Sequence, residues 1–176
     1  MEMLSLEEIA EAVGSVSSVT GKVDRICTDT RKITENSVFI ALKGANYDGH
    51  SFVKPAIEGG ALAAITEFQI GNCPCIKVKD TRKALLDIAK FYRKKFSPIL
   101  VGVTGSVGKT TTKEMIYLVL SSKYKTLKNE GNFNNEIGVP LTLFNLDSSF
   151  EAAVIEMGMS HFGEIHRLGR VSKPTV

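Results

Sequence analysis

The chain has 176 residues, with 43% hydrophobic and 23% charged side chains, a balance that excludes a disordered polymer and allows one good-sized domain or two small ones. The net charge of +3 is spread over many small clusters, and no run approaches the roughly 18 apolar residues of a membrane span. The opening stretch Met1-Glu2-Met3-Leu4-Ser5 has no basic region and no long apolar core, so no secretory signal is expected and the cytoplasm is the expected location. The densest basic cluster, Arg93-Lys94-Lys95, falls at the end of an expected helix. Cations suit that end of the dipole, so it reads as a solvated helix terminus rather than the basic face that nucleic acid needs. Neither nucleic acid nor a membrane is an expected partner. Three cysteines, with Cys73-Pro74-Cys75 too sparse for a four-ligand zinc site, read as free thiols.

Ser5-Leu6-Glu7-Glu8 predicts a capping box opening a helix whose apolar face is Leu6, Ile9, Ala10 and Val13, ended by Gly14. A short strand is expected over 23–27, then a loop carrying Asp29-Thr30-Arg31. Residues 37–42 read as a buried strand, 43–50 as a polar loop rich in turn formers, and 52–58 as a helix stopped by Gly59-Gly60. Strands over 61–66 and 75–78 complete a small α/β unit. Residues 81–96 form a long amphipathic helix by spacing. Ser97-Pro98 then punctuates the chain, which suggests a boundary near 96–98 and two domains, 1–97 and 98–176. The pattern restarts with an apolar strand over 99–103, a Gly-rich turn over 104–108 and a helix over 109–121. A strand over 124–127, a polar loop over 129–135, a helix over 137–144, a strand over 152–155 and a helix over 162–168 follow. Pro174-Thr175-Val176 reads as the start of a further strand. Strand and helix alternating at this spacing mean a parallel sheet with crossover helices, so the fold class is α/β in both halves.

The chemistry concentrates in the second half. Thr104-Gly105-Ser106-Val107-Gly108-Lys109-Thr110 lies between a buried strand and a helix, the placement a phosphate cradle requires. Glycines let the backbone approach phosphates, Lys109 can reach the β- and γ-phosphates, and the Thr110 hydroxyl can ligate magnesium. The strict G-x-x-x-x-G-K-[ST] spacing is not met, because Val103 stands five residues before Gly108 and the preceding glycine is Gly102; this is a variant loop in which Gly105 supplies the freedom. ATP and Mg²⁺ are the expected cofactors. Ala152-Ala153-Val154-Ile155-Glu156 is an apolar strand ending in a carboxylate, where parallel sheets place their ligands, so Glu156 is the expected second metal ligand beside Thr110. Asn132, Asn134 and Asn135 crowd one loop, either to contact substrate and phosphate oxygens or for local turn reasons. His161 lies either near the metal or in an exposed turn.

The loop from Thr104 to Thr111, the stretch Gly131-Asn132-Phe133-Asn134-Asn135-Glu136-Ile137-Gly138-Val139-Pro140-Leu141-Thr142-Leu143 and the stretch Glu156-Met157-Gly158-Met159-Ser160-His161-Phe162-Gly163-Glu164-Ile165 together resemble the Mur ligases. These are the ATP-dependent amide-forming enzymes of peptidoglycan synthesis, and the likeness is to their dipeptide-adding branch. Asp29-Thr30-Arg31 and Phe39-Ile40-Ala41-Leu42-Lys43-Gly44 with Asp48-Gly49-His50 resemble that family's uridine-nucleotide-binding domain. The resemblance implies a UDP-muropeptide-binding domain over 1–97 and a partial central ATP-binding domain over 98–176. It implies the substrates UDP-N-acetylmuramoyl-tripeptide and D-alanyl-D-alanine and an acyl-phosphate route. Thr104, Gly105, Ser106, Val107, Gly108, Lys109, Thr110 and Thr111 would hold ATP, with Lys109 catalytic; Thr30, Arg31, Lys43, Asp48, Gly49 and His50 would hold the uridine diphosphate; Asn132, Asn134 and Asn135 would place the muropeptide. An arginine such as Arg31 suits a diphosphate through its planar fork, against the plainer reading of a surface salt bridge. Asn129 is a departure, since the family often has threonine there. Such ligases continue beyond the position of Val176, so the chain is expected to be a part without ligase turnover of its own, with an open sheet edge inviting self-association. A sister ligase adding another amino acid, a folylpolyglutamate-synthase-like enzyme and a non-catalytic nucleotide-binding module are the competing readings.

Overall fold

The computed structural model describes residues 1–44 and 47–176; the expected polar loop over 43–50 includes Ala45 and Asn46, which lie outside the described residues. In chain order the elements are β1 (Leu4–Ser5), α1 (Leu6–Ala12), β2 (Lys22–Val23), β3 (Arg25–Cys27), a 3₁₀ turn (Thr30–Lys32), β4 (Ser37–Ile40), a second 3₁₀ turn (Gly49–Phe52), α2 (Val53–Glu58), β5 (Ala61–Thr66), β6 (Cys75–Lys77) and α3 (Thr81–Arg93). There follow β7 (Ile99–Val103), α4 (Lys109–Ser121), β8 (Thr126–Lys128), α5 (Gly138–Leu143), β9 (Ala152–Glu156) and α6 (Glu164–Ser172). No helix among the described residues is long and apolar enough to cross a membrane. By compactness the chain divides into two units, Met1–Ile88 and Ala89–Val176. The last turn of α3 packs with the second of these: the Tyr92 hydroxyl donates to the Leu146 carbonyl and Arg93 Nε to the Ser172 carbonyl.

The first unit is built on a parallel sheet in the order β3-β4-β5-β6. All four residues of β4 are buried, as expected of a parallel strand covered on both faces. On one face Phe39, Ala41, Ala61, Ala64 and Cys75 pack with Val53 and Ala56 of α2, joined by Ile33, Ile57, Ile70 and Cys73. Burial of Phe39 alone stabilises by about 1.5–3 kcal/mol. The predicted capping box opens α1: Ser5 Oγ accepts from the Glu8 amide at 3.1 Å and Glu8 Oε2 accepts from the Ser5 amide at 2.8 Å. The antiparallel pair of β1 with β2 was not expected, two residues per strand being too few to show a period.

The second unit carries the parallel sheet β7-β9-β8, with β9 central and buried along its whole length. Val103 pairs with Glu156, so the loop after β7 and the last residue of β9 emerge side by side at the carboxyl end of the sheet. Residues 174–176, read as the start of a strand, run along β7: the Thr175 amide donates to the Leu100 carbonyl at 2.8 Å and the Gly102 amide to the Val176 carbonyl at 2.9 Å.

The helix predicted over 81–96 ends at Arg93, because the amides of Lys94, Lys95 and Phe96 bond three rather than four residues back and the last turn tightens. Arg93 is buried rather than solvated, donating Nη1 to the Phe96 carbonyl at 2.7 Å, and burial lowers its pKa. The last helix begins later and runs further than predicted, through Ser172.

Candidate functional site

Two constellations stand out, one in each unit. In the second, β7 delivers the chain into an exposed loop at 104–108 that turns through Gly105 (φ +148°) and Gly108 (φ +76°). Gly108 is the N-cap of α4 in the left-handed region, which a residue with a Cβ adopts only with strain. The loop therefore hands the N-terminus of a 13-residue helix to whatever lies above it. Lys109 folds back across this loop, its Nζ donating to the Gly105 carbonyl at 2.8 Å.

Thr110, one residue further on, donates its hydroxyl to Glu156 Oε2 at 2.9 Å. The expected pair of metal ligands, one from the loop helix and one from the neighbouring strand end, is thus brought together. Glu156 is only 2% exposed, and its other oxygen, Oε1, accepts from Asn134 Nδ2 at 2.8 Å. Asn134 is held in turn by the Gly158 amide, which donates to its carbonyl. Among the described residues no group of three or more His, Cys, Asp or Glu side chains could hold a metal. A single carboxylate beside one hydroxyl leaves most of a coordination shell to phosphate oxygens and water, which is how magnesium is held with nucleotides and is unlike a zinc centre. The donor set fits magnesium.

Two further residues were not singled out as site residues from sequence. Asn129, just beyond β8, clamps the Glu156 backbone on both sides: its Oδ1 accepts from the Glu156 amide and its Nδ2 donates to the Glu156 carbonyl, each at 2.9 Å. Its carboxamide thus continues the β8–β9 ladder where the backbone leaves it. Lys113 is 1% exposed, donates to the Asn129 carbonyl at 2.9 Å and lies 3.7 Å from Glu156 Oε2 and 3.3 Å from Glu114 Oε1. Glu114 also takes the Lys128 ammonium at 2.6 Å, which holds its carboxyl below its usual range and raises Lys128. Helical spacing puts Thr110 and Lys113 on one face of α4, but spacing alone does not say that this face is buried.

The asparagine loop divides its labour. Asn134 faces Glu156, whereas Asn135 Oδ1 accepts from the Ile137 and Gly138 amides and starts α5. Asn132 is exposed, and its carbonyl accepts from the Asn134 amide. His161 is exposed in a turn, its Nδ1 3.5 Å from Glu164 Oε1; the amides of Ser160 and His161 also bond Glu164, lowering its pKa.

In the first unit Thr28, Asp29, Thr30, Arg31, Phe39, Tyr47, Gly49 and Phe52 line a cleft of about 510 Å³. Arg31 is turned onto Asp29 in the bidentate geometry of a surface salt bridge, 2.7 Å between Nη2 and Oδ2. That hydrogen bond from the guanidinium is the main reason the Asp29 carboxyl falls from 3.8 to about 2. His50 is buried and has both ring nitrogens engaged: Nε2 accepts from the Glu67 amide at 3.0 Å, so Nδ1 carries the proton toward Asp48 at 2.6 Å. Its ring stacks on Phe68. Asp48 also takes the His50 amide, the first cause of its lowered pKa, and lies 3.6 Å from Lys43. Gly49 packs so closely on Leu42 that an added Cβ would lie 2.5 Å from the Leu42 carbonyl oxygen. Of these three residues Gly49 lines the cleft, while the Asp48–His50 pair braces the turn that carries it. The exposed aromatic rings of Tyr47 and Phe52, overlooked in the sequence, are the groups in it suited to stacking.

A parallel α/β unit with an acidic strand end against a glycine-rich loop and a helix N-terminus is an architecture suited to holding phosphates. The model of the Mur ligase family, catalytic domain, matches residues 22–93 and that of the Mur ligase middle domain matches residues 103–176; the chain belongs to the Mur ligase family. It is 47% identical over 153 residues to the UDP-N-acetylmuramoyl-tripeptide–D-alanyl-D-alanine ligase of Bacillus subtilis (strain 168), covering 85% of the chain and 34% of that protein. The ligase of the same name from Escherichia coli (strain K12) is 38% identical over 176 residues, covering 99% of the chain and 39% of its own length. Among solved structures, MurF from Acinetobacter baumannii superposes with a TM-score of 0.94 at 34% identity, over 99% of the chain and 40% of that protein. MurF ligase from Thermotoga maritima in complex with ADP superposes with a TM-score of 0.80 at 38% identity, over 85% of the chain and 35% of that protein. The chain spans well under half the length of these relatives.

Proposed function

We propose that this chain carries the UDP-muropeptide-binding part and the first portion of the ATP-binding part of a cytoplasmic ligase that joins D-alanyl-D-alanine to UDP-N-acetylmuramoyl-tripeptide. The observation that carries the reading is the meeting of Thr110 with Glu156 at the mouth of the loop bearing Lys109. Forming an amide from a carboxylate requires the muropeptide carboxylate to attack the γ-phosphate of ATP, releasing ADP and giving an acyl phosphate, from whose carbonyl the dipeptide amine then displaces inorganic phosphate. The obstacle is the gathering of negative charge. Residues 104–111 cradle the phosphates, with the helix N-terminus of α4 directed at them. Lys109 leaves the Gly105 carbonyl to meet phosphate oxygen, a short swing of a flexible stem. Thr110 and Glu156 would hold magnesium, which would supply the remaining positive charge. Asn134 bridges the metal ligand and the substrate side of the loop, Asn132 is free to reach the muropeptide, and Asn135 fixes the turn that presents them.

In the first unit Thr30 and Arg31 receive the diphosphate, Arg31 exchanging Asp29 for the ligand, while Tyr47 and Phe52 flank the uracil ring. Lys43 neutralises charge at the rim, and Gly49, on the turn braced by Asp48 and His50, lines the wall against which the nucleotide lies. The test is phosphate release by the longer protein containing this chain, supplied with ATP and UDP-N-acetylmuramoyl-tripeptide and offered D-alanyl-D-alanine or single amino acids in turn. Release that depends on the dipeptide is expected. Release driven instead by a single amino acid would make it a sister ligase, and none with any amine would leave a binding module.

A further inference from the structure

The role of Lys109 at the loop leaves a second lysine of α4 unexplained. Lys113 is 1% exposed, and burying an ammonium is unfavourable unless its partners are well placed. Besides Glu114, 3.3 Å away, its partners form a ring: Lys113 donates to the Asn129 carbonyl, the Asn129 side chain clamps both backbone groups of Glu156, and the Glu156 carboxylate lies 3.7 Å from the Lys113 ammonium. Thr110 and Lys113 approach the same oxygen, Oε2, from successive turns of one helix, while Asn134 fixes Oε1. Both backbone polar groups and both carboxylate oxygens of Glu156 thus have partners.

We propose that Lys113 and Asn129 are positioning residues that hold the Glu156 carboxylate aimed at the cation before nucleotide arrives, so that magnesium meets an already oriented ligand. The inference rests on the phosphate-loop reading above. It differs from a purely structural ion pair in what it affects. A structural role lowers stability alone, whereas a positioning role lowers the part of nucleotide affinity that magnesium adds. Partners that orient a ligand typically account for about 10–100-fold in metal affinity.

The experiment is a calorimetric titration of the chain with ADP, with magnesium and then with magnesium removed by a chelator, for the unsubstituted chain, Lys113→Met and Asn129→Ala. Thermal unfolding checks that each variant is folded. The unsubstituted chain gains affinity with magnesium. In Lys113→Met that gain falls by about 10-fold or more while metal-free ADP affinity stays the same. Asn129→Ala, which leaves the charge in place and removes the backbone clamp, loses part of the same gain and carries the test if Lys113→Met does not fold. An undiminished magnesium gain in a folded variant overturns the inference, as does an equal loss with and without metal. ADP binding with no magnesium gain in the unsubstituted chain also overturns it, while leaving the phosphate loop standing. No ADP binding at all by the folded, unsubstituted chain overturns the phosphate-loop reading itself.

Discussion

Glu156→Gln removes one charge from the mouth of the phosphate loop and almost nothing from its shape. The carboxylate now accepts from Thr110 on one oxygen and from Asn134 on the other. A glutamine has one acceptor and one donor at those positions, so one neighbour must turn, and the Thr110 hydroxyl can do so by rotating to accept. Packing is therefore retained. What is lost is the charge facing Lys113, 3.7 Å away and buried. Removing one partner of an isolated buried pair costs about 3–5 kcal/mol. Lys113 keeps the Asn129 carbonyl at 2.9 Å and Glu114 at 3.3 Å, so the expected loss is smaller, about 1–2 kcal/mol. For a unit of this size each kcal/mol lowers Tm by about 4–8 °C. The larger effect is on metal: the one carboxylate available to the cation is gone, and the magnesium-dependent gain in ADP affinity should fall by more than about 10-fold. Thermal unfolding and paired titrations with and without magnesium read both numbers. A variant that keeps its full magnesium gain would refute the assignment of Glu156 as metal ligand.

Lys109→Ala should lower ADP affinity by about 10-fold or more, the charged hydrogen bond being worth about 1.5–3 kcal/mol, and should abolish turnover of the longer protein while UDP binding is retained; equal loss of both would show that the two units do not divide the work. Gly138→Ala places a Cβ 2.5 Å from the Phe133 carbonyl carbon, so the asparagine loop must shift, with a loss of about 1–3 kcal/mol or more in thermal unfolding; an unchanged Tm would show that the loop yields freely. Asp29, whose carboxyl lies at about 2 instead of 3.8, contributes stability that is present above pH 3.8 and lost as the pH falls toward 2. The difference in Tm between the unsubstituted chain and Asp29→Asn should therefore shrink across that window, and a difference that stays constant would contradict it.

The fold was legible where periodicity and turn chemistry agreed. The capping box at Ser5 and Glu8, the buried strand at β4 and the strand-loop-helix at Lys109 follow directly from residue order. The approach of Thr110 to Glu156 was readable because parallel strands put their carboxyl ends together. Lys113 and Asn129 were not. A lysine in an amphipathic helix reads as part of the solvated face, and only the sheet order β7-β9-β8, which seats β9 between its neighbours, turns it inward. Arg93 was misread for the same reason, its guanidinium being drawn into the second unit by the carbonyls of Ser172 and Phe96. His50 looked like a ligand-binding histidine in a polar loop; that a backbone amide from residue 67 occupies its Nε2 is a tertiary fact with no local trace.

The most direct test of the account is a calorimetric titration of the purified chain with UDP-N-acetylmuramoyl-tripeptide, repeated in the presence of UDP. Saturable binding that UDP displaces is expected, weakened by Arg31→Ala and untouched by Lys109→Ala. A folded chain that takes up ADP but neither uridine nucleotide would contradict the assignment of the first unit and, with it, the ligase reading.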